Sequence, residues 1–172
     1  MDFLVILFSS LHILFALLIL FLTIAFMTGA PFVPTTANTS KEMLRLARLR
    51  KGMIVYDLGS GDGRLLLAAA RYGARATGFE INPFLVLWSK GRALVSRDRS
   101  LVTVCWKNFW NSDFSDADVV FVYLLPWRME KLEKLLRHQL KPGALVVSNS
   151  FVFPSLAKIA ENPQAHVYVF RM

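Results

Sequence analysis

The chain has 172 residues, 55% of them hydrophobic and 19% charged, with a formal net charge of +8. Such a length suits one domain and excludes two of ordinary size, and such a composition excludes intrinsic disorder. It is also greasier than a soluble core of this size requires, so part of the chain is expected to lie outside one.

The excess sits at the N-terminus. Phe3 to Met27 are 25 residues without an Asp, Glu, Lys or Arg, and only Ser9, Ser10, His12 and Thr23 among them are not apolar. As a helix this stretch would measure about 37 Å, enough to cross a hydrocarbon core of about 30 Å. A cleaved secretory signal would need a basic leading region and a shorter apolar run, whereas only Asp2 precedes the stretch after Met1. Residues 1–30 are therefore expected to form an uncleaved anchor that contacts membrane lipids through Phe3 to Met27. Lys41, Arg45, Arg48, Arg50 and Lys51 follow it closely against Glu42 alone, so the positive-inside rule puts the C-terminal part in the cytoplasm. The segment resembles no Arg-rich, acid-poor transit peptide, so a bacterial inner membrane is expected, with the mitochondrial inner membrane as the alternative.

Residues 31–40, with Pro31, Pro34 and several threonines, read as a linker into a domain at 41–172. Thr39 and Glu42 have capping-box spacing, which predicts a helix through Met43, Leu44, Leu46, Ala47 and Leu49 that ends at Gly52. Thereafter strands and helices alternate. Strands are predicted at Met53–Leu58, Arg75–Glu80, Leu101–Trp106, Val119–Leu124, Ala144–Phe151 and His166–Arg171. Helices are predicted at Arg64–Arg71, Asn82–Val95 and Arg128–Leu140. This pattern implies an α/β fold: a Rossmann-like, mostly parallel sheet with helices on both faces and ligands at the carboxyl ends of the strands.

Between the first strand and the next helix runs Asp57-Leu58-Gly59-Ser60-Gly61-Asp62-Gly63-Arg64. Alternate glycines let the main chain turn tightly and approach a ligand closely. Glu80, at the end of the next strand, is placed to accept the hydroxyls of a ribose. A nicotinamide dinucleotide is the rival ligand. Its loop pattern asks for a small residue where Arg64 stands, and its pyrophosphate is ill suited to the flanking Asp57 and Asp62 carboxylates. An ammonium and a sulfonium would suit them, and S-adenosyl-L-methionine carries both. Cys105 is alone and in an apolar run, which predicts a buried strand cysteine. The histidines His12, His138 and His166 are scattered, so no metal site is expected. No nucleic-acid docking module is visible.

With those motifs the sequence resembles the class I, seven-strand S-adenosylmethionine-dependent methyltransferases from about Pro34 to Arg171. It is more narrowly similar to the small single-span lysine methyltransferases whose animal members act on the adenine nucleotide translocase and the ATP synthase c subunit. Shared features are Val33-Pro34-Thr35, Val55 to Arg64, Ser115-Asp116-Ala117, Tyr123-Leu124-Leu125-Pro126, Leu140-Lys141-Pro142-Gly143 and the ending Val167 to Arg171. The resemblance implies that Asp57, Gly59, Ser60, Gly61 and Gly63 hold the methionine part and ribose, with Glu80 on the ribose hydroxyls. It implies that Ile81 and Asn82 flank the adenine. Asn108 stands where the family usually has an aspartate that contacts the adenine amino group, and its amide oxygen accepts such a bond more weakly.

By the same resemblance Tyr123, Pro126 and Trp127 form the wall where the substrate nitrogen meets the methyl group, with Trp106, Phe109 and Trp110 as further candidates for an aromatic mouth. The activity expected is methyl transfer to a lysine of a membrane or membrane-proximal protein. A lipid or quinone headgroup as acceptor and a non-catalytic cofactor-binding scaffold are the alternatives.

Overall fold

A computed structural model describes residues 2–28 and 33–172. They fall into two compact units, Met1–Val33 and Pro34–Met172.

In the first unit α1 (Asp2–Thr28) is one uninterrupted helix. Its stretch Phe3–Leu20 has a mean hydropathy of 2.8 and no buried residue, so by length and composition it can cross a membrane. Three of its polar side chains bond within the helix. Ser10 and Thr23 hydroxyls donate to the carbonyls of Ile6 and Ile19, each at 2.8 Å. His12 Nδ1 donates to Phe8 O at 2.8 Å, so the ring is turned onto its own backbone.

The second unit contains α2 (Ala37–Ala47), β1 (Ile54–Leu58), α3 (Arg64–Arg71), β2 (Arg75–Glu80), α4 (Pro83–Leu94), β3 (Val102–Trp106), β4 (Val119–Val122), α5 (Pro126–Gln139), β5 (Leu145–Asn149), β6 (Lys158–Asn162) and β7 (Val167–Arg171). The seven strands lie in the order β3-β2-β1-β4-β5-β7-β6. β1 pairs in parallel with β2 and β4, and β3 and β5 extend the parallel set outward. β7 enters antiparallel between β5 and β6. The order reverses at β1 and β4, so the crevice at their carboxyl ends is where this fold takes a ligand.

Burial explains the layering. All four residues of β4 are buried, as a central parallel strand covered on both sides requires. On one face Met43 and Ala47 of α2 and Leu66 and Ala69 of α3 pack with Val55, Val119 and Phe121. On the other, Met129, Leu132 and Leu136 of α5 pack with Val120, Val146 and Phe170. Side chains alternate along a strand, so Val119 and Phe121 serve one core and Val120 and Val122 the other.

Several boundaries differ from expectation. The α2 cap is Thr36, whose extended backbone lets its Oγ1 accept the Thr39 N–H at 3.1 Å, and Glu42 faces Arg45 and Asn162 instead of reaching back. The helix stops at Ala47 because Arg48 turns left-handed, well short of Gly52. β4 ends at Val122 and α5 begins at Pro126, two residues before Arg128, with proline at the position where a missing N–H costs nothing. β6 has no counterpart among the predicted strands, because Lys158–Asn162 is a polar, mostly exposed edge strand with no apolar run to betray it. Cys105 is half-buried rather than enclosed, since β3 is the opposite edge.

Candidate active site at the carboxyl ends of the central strands

The glycine loop leaves β1 after Leu58 and folds back over the end of β2. Phe79 O accepts the N–H groups of Gly59 and Ser60 at 2.9 and 3.0 Å. Gly63 N–H reaches Ser60 O at 2.9 Å, and Arg64 N–H reaches Asp62 Oδ1 at 3.2 Å. Gly59 has φ +97° with open space where a side chain would point, so the main chain there faces outward uncovered. Gly63 is required for a different reason. A Cβ at its φ of +74° would stand 2.0 Å from Ser89 Oγ, so the loop and α4 touch only because it is absent.

Glu80 locks this loop. It is buried, and Oε2 accepts Gly61 N–H at 2.9 Å while Oε1 accepts the N–H groups of Ile81 and Asn82, each at 2.8 Å. A carboxylate has about four lone-pair sites, so three bonds hold the group rigidly and leave one acceptor position over. Asn82 in turn caps α4, its Oδ1 accepting from Phe84 and Leu85 N–H at 3.0 and 3.4 Å. Ile81 is exposed beside it, and its carbonyl accepts the indole N–H of the exposed Trp106 at 3.0 Å.

The two aspartates of the loop differ sharply. Asp62 is ion-paired with Arg64 (Nε to Oδ1, 2.9 Å) and with Arg92 (Nη1 to Oδ2, 2.6 Å). Burial pushes its pKa up, but the Arg64 hydrogen bonds and the charges of both arginines outweigh this and hold it below the usual range. The expected pair of free carboxylates is therefore corrected: Arg64, two residues on, and Arg92, thirty residues away, together neutralise Asp62. Asp57 is the opposite case. It is buried, no described residue donates a hydrogen bond to it, and burial with the neighbouring Glu80 and Asp62 charges raises its pKa to about 7. Asp57 and Glu80 thus form a buried carboxylate pair to which no ion pair among the described residues brings a cation.

This arrangement discriminates between ligands. A pyrophosphate needs free backbone N–H donors, and those of Gly59, Ser60, Gly61, Gly63 and Arg64 are all spent on acceptors within the protein. A positively charged group is suited by an unpartnered buried carboxylate, since it removes the cost of holding that charge.

The remaining predicted residues ring the same end of the sheet. Asn108 follows β3, and its Oδ1 already caps the short turn Phe109–Asn111 by accepting Trp110 N–H at 3.1 Å, so one acceptor position fewer is left for an adenine. Phe109 and Trp110 pack on each other at 4.7 Å, and Lys131 of α5 lies 4.7 Å above the Trp110 ring, which commits Trp110 to the α5 side. Tyr123 is half-buried directly after β4, and Pro126 and the exposed Trp127 are at the start of α5. Two residues were not singled out by sequence reasoning. The Thr35 carbonyl accepts from Arg64 Nη1 at 2.5 Å, and its hydroxyl accepts from Asn149 Nδ2 at 3.4 Å, tying the segment before α2 to the loop and to the end of β5. Thr35 lay inside a recognised motif, but Asn149, at the buried end of a strand, carried a signal only through its polarity.

Comparison with known proteins places the chain. The ANTKMT methyltransferase domain model matches residues 57–160. The mouse lysine N-methyltransferase of the ATP synthase c subunit is 38% identical over 124 residues, 72% of this chain and 50% of that protein. A protein-lysine N-methyltransferase of Saccharolobus islandicus is 36% identical over 74% of this chain and 80% of its own length. Among solved structures, an RNA methyltransferase from Salinibacter ruber in complex with S-adenosyl-L-homocysteine superposes with a TM-score of 0.76 at 38% identity, covering 81% of this chain and 92% of that one. The chain spans about half the length of the animal relatives it matches. With the family pattern running through the strand that carries Asp57, the glycine loop and on to β6, the chain belongs to the ANTKMT methyltransferase domain family.

Proposed function

We propose that the chain is a membrane-anchored, S-adenosyl-L-methionine-dependent methyltransferase acting on a lysine side chain of a membrane or membrane-proximal protein. What supports the reading is the buried Asp57 carboxylate, which no described residue ion-pairs, beside a glycine loop whose Gly59, Ser60, Gly61 and Gly63 N–H groups are already bonded within the protein. The arrangement residues 1–30 as anchor, 31–40 as linker and 41–172 as catalytic domain belongs to the same reading.

The residues present fit this cofactor. Asp57 would take its ammonium, the uncovered main chain at Gly59 together with Ser60, Gly61 and Gly63 would lie against its methionine part and ribose, and the last acceptor position of Glu80 would take a ribose hydroxyl. Ile81 and Asn82 would flank the adenine, with Asn108 at its amino edge. When bound, the cofactor supplies an activated methyl group on a sulfonium.

What the chain's own residues do is position and desolvate. An unperturbed lysine has a pKa near 10.4, so the amine must lose its proton to present a lone pair. Tyr123 and Trp127 offer aromatic faces and Pro126 a rigid apolar one, a surrounding that disfavours the charged amine by desolvation and holds a methylated cation over a ring. Alignment of that lone pair with the methyl carbon supplies much of the rate. An enzyme and a target confined to one bilayer meet at a raised effective concentration.

The test is incubation of the purified full chain with radiolabelled cofactor and membrane extract, followed by separation of protein, lipid and RNA. Label on a protein band, localised to lysine by hydrolysis, supports the reading. Label in the organic phase means a lipid or quinone acceptor, label on RNA means a nucleic-acid acceptor, and cofactor binding without label means a scaffold. Each of these three overturns it.

A further inference from the structure

α4 exposes an apolar stripe that the fold leaves uncovered. Phe84, Leu87, Trp88, Leu94 and Val95 are 64 to 87% exposed, while Val86, Ser89 and Ala93 on the opposite side are buried against the domain. At about 100° per residue, Phe84, Leu87, Trp88 and Leu94 lie on one side of the helix, around Gly91, which carries no side chain, and Val95 follows at the C-cap. Soluble surfaces seldom present so many large apolar side chains in one row. The stripe begins beside Ile81 and Trp106, at the rim of the glycine-loop site.

Its border is basic. Lys90, Arg97, Arg99 and Lys107 are exposed around it, and Asp98 is the one acidic residue between Ile81 and Lys107. Aromatic and aliphatic side chains on one face with lysine and arginine at the edges are the composition of a helix lying in a bilayer interface. The same chain carries a helix able to cross a bilayer.

We propose that α4 is a second membrane contact: its Phe84–Val95 face inserts among the headgroups and upper acyl chains of an anionic leaflet, with Arg97 and Arg99 on the lipid phosphates. Docked this way, the carboxyl end of β2 and the rim formed by Ile81 and Trp106 lie at the lipid surface, where a lysine of an integral membrane protein emerges. The contact goes beyond the anchor and does not depend on the methyl acceptor.

The full chain is reconstituted in vesicles after Cys105→Ser leaves it free of cysteine, and an environment-sensitive fluorophore is attached at Leu87→Cys or Val95→Cys, with Glu130→Cys on α5 as the water-exposed reference and Leu14→Cys reporting insertion of α1. In vesicles containing 30% phosphatidylglycerol, lipid-borne doxyl groups should quench positions 87 and 95 at least about twofold more than position 130. Arg97→Ala with Arg99→Ala should weaken that docking about 25-fold, at about fivefold per basic residue near an anionic surface. The proposal is overturned if aqueous iodide reaches 87 and 95 as freely as 130 while position 14 is protected. It is also overturned if 87 and 95 become protected without lipid in proportion to protein concentration, which marks a second copy, or only when a substrate protein is added.

Discussion

The sharpest consequence concerns Asp57→Asn. Burial and the neighbouring carboxylates raise the Asp57 pKa from 3.8 to about 7, a difference of about three units at about 1.4 kcal/mol each, so holding the charge costs the folded state about 4 kcal/mol. The folded pKa lies above the unfolded one. The acid therefore contributes its full stability below about pH 4, and that contribution is lost as pH rises toward 7. Asparagine never carries the charge. It brings two amide donors without partners, which cost roughly 1–3 kcal/mol, so the net gain above pH 7 is about 2 kcal/mol. For a domain of this size that is a rise in Tm of roughly 6 °C. Thermal unfolding of the two proteins from pH 4.5 to 8.5 should show curves that cross near pH 5, separate up to about pH 7 with the variant the more stable, and run parallel above it. The same variant should bind S-adenosyl-L-methionine about 10- to 100-fold more weakly, because it loses a charge-assisted contact. Tm curves that stay parallel between about pH 5 and pH 7, or unchanged affinity in a more stable variant, would refute the reasoning.

Other perturbations test separate parts of the account. Glu80→Gln faces three backbone N–H groups with a single amide oxygen, so it should lower stability by about 1–3 kcal/mol in chemical denaturation and abolish cofactor-dependent labelling; full activity would remove Glu80 from the site. Gly63→Ala puts a methyl group 2.0 Å from Ser89 Oγ in a left-handed backbone and should destabilise by about 2–4 kcal/mol, and Ser89→Ala, which removes a buried hydroxyl without a partner, should restore part of that loss in the double variant. Leu11→Arg with Leu14→Arg in α1 costs about 5–7 kcal/mol of insertion and should shift the chain from the carbonate-resistant membrane pellet into the supernatant; undiminished retention in the pellet would deny α1 its role as an anchor.

How far the sequence could be read depended on whether the deciding contact was local. α3 and β2 begin and end where Gly63, Gly73 and the turn after Glu80 place them, and those signals lie within a few residues of each boundary. The choice between Thr36 and Thr39 as cap was beyond reach, because both are threonines and only the backbone at Thr36 is extended into a receiving geometry. β6 carries no period-2 apolar signal; its pairing with β7 makes it a strand. At the site, glycine spacing and the acidic ends of two strands were legible, yet the division of labour between the carboxylates was not. Asp57 and Asp62 look alike in sequence, and it is the fold of the loop, which turns Arg64 onto both oxygens of Asp62 and brings Arg92 from α4 against it, that silences one and leaves the other. Asn108 shows a second limit, since its function as a turn cap competes for the same oxygen that an adenine would use.

The pocket's preference for a cation over a pyrophosphate is tested most directly by calorimetric titration of the full chain with S-adenosyl-L-methionine and, separately, with NADH, at pH 6 and pH 8. Saturable binding of S-adenosyl-L-methionine that tightens from pH 6 to pH 8, as Asp57 loses its proton, with no heat from NADH, is the predicted result. Tight NADH binding with none for S-adenosyl-L-methionine would contradict it.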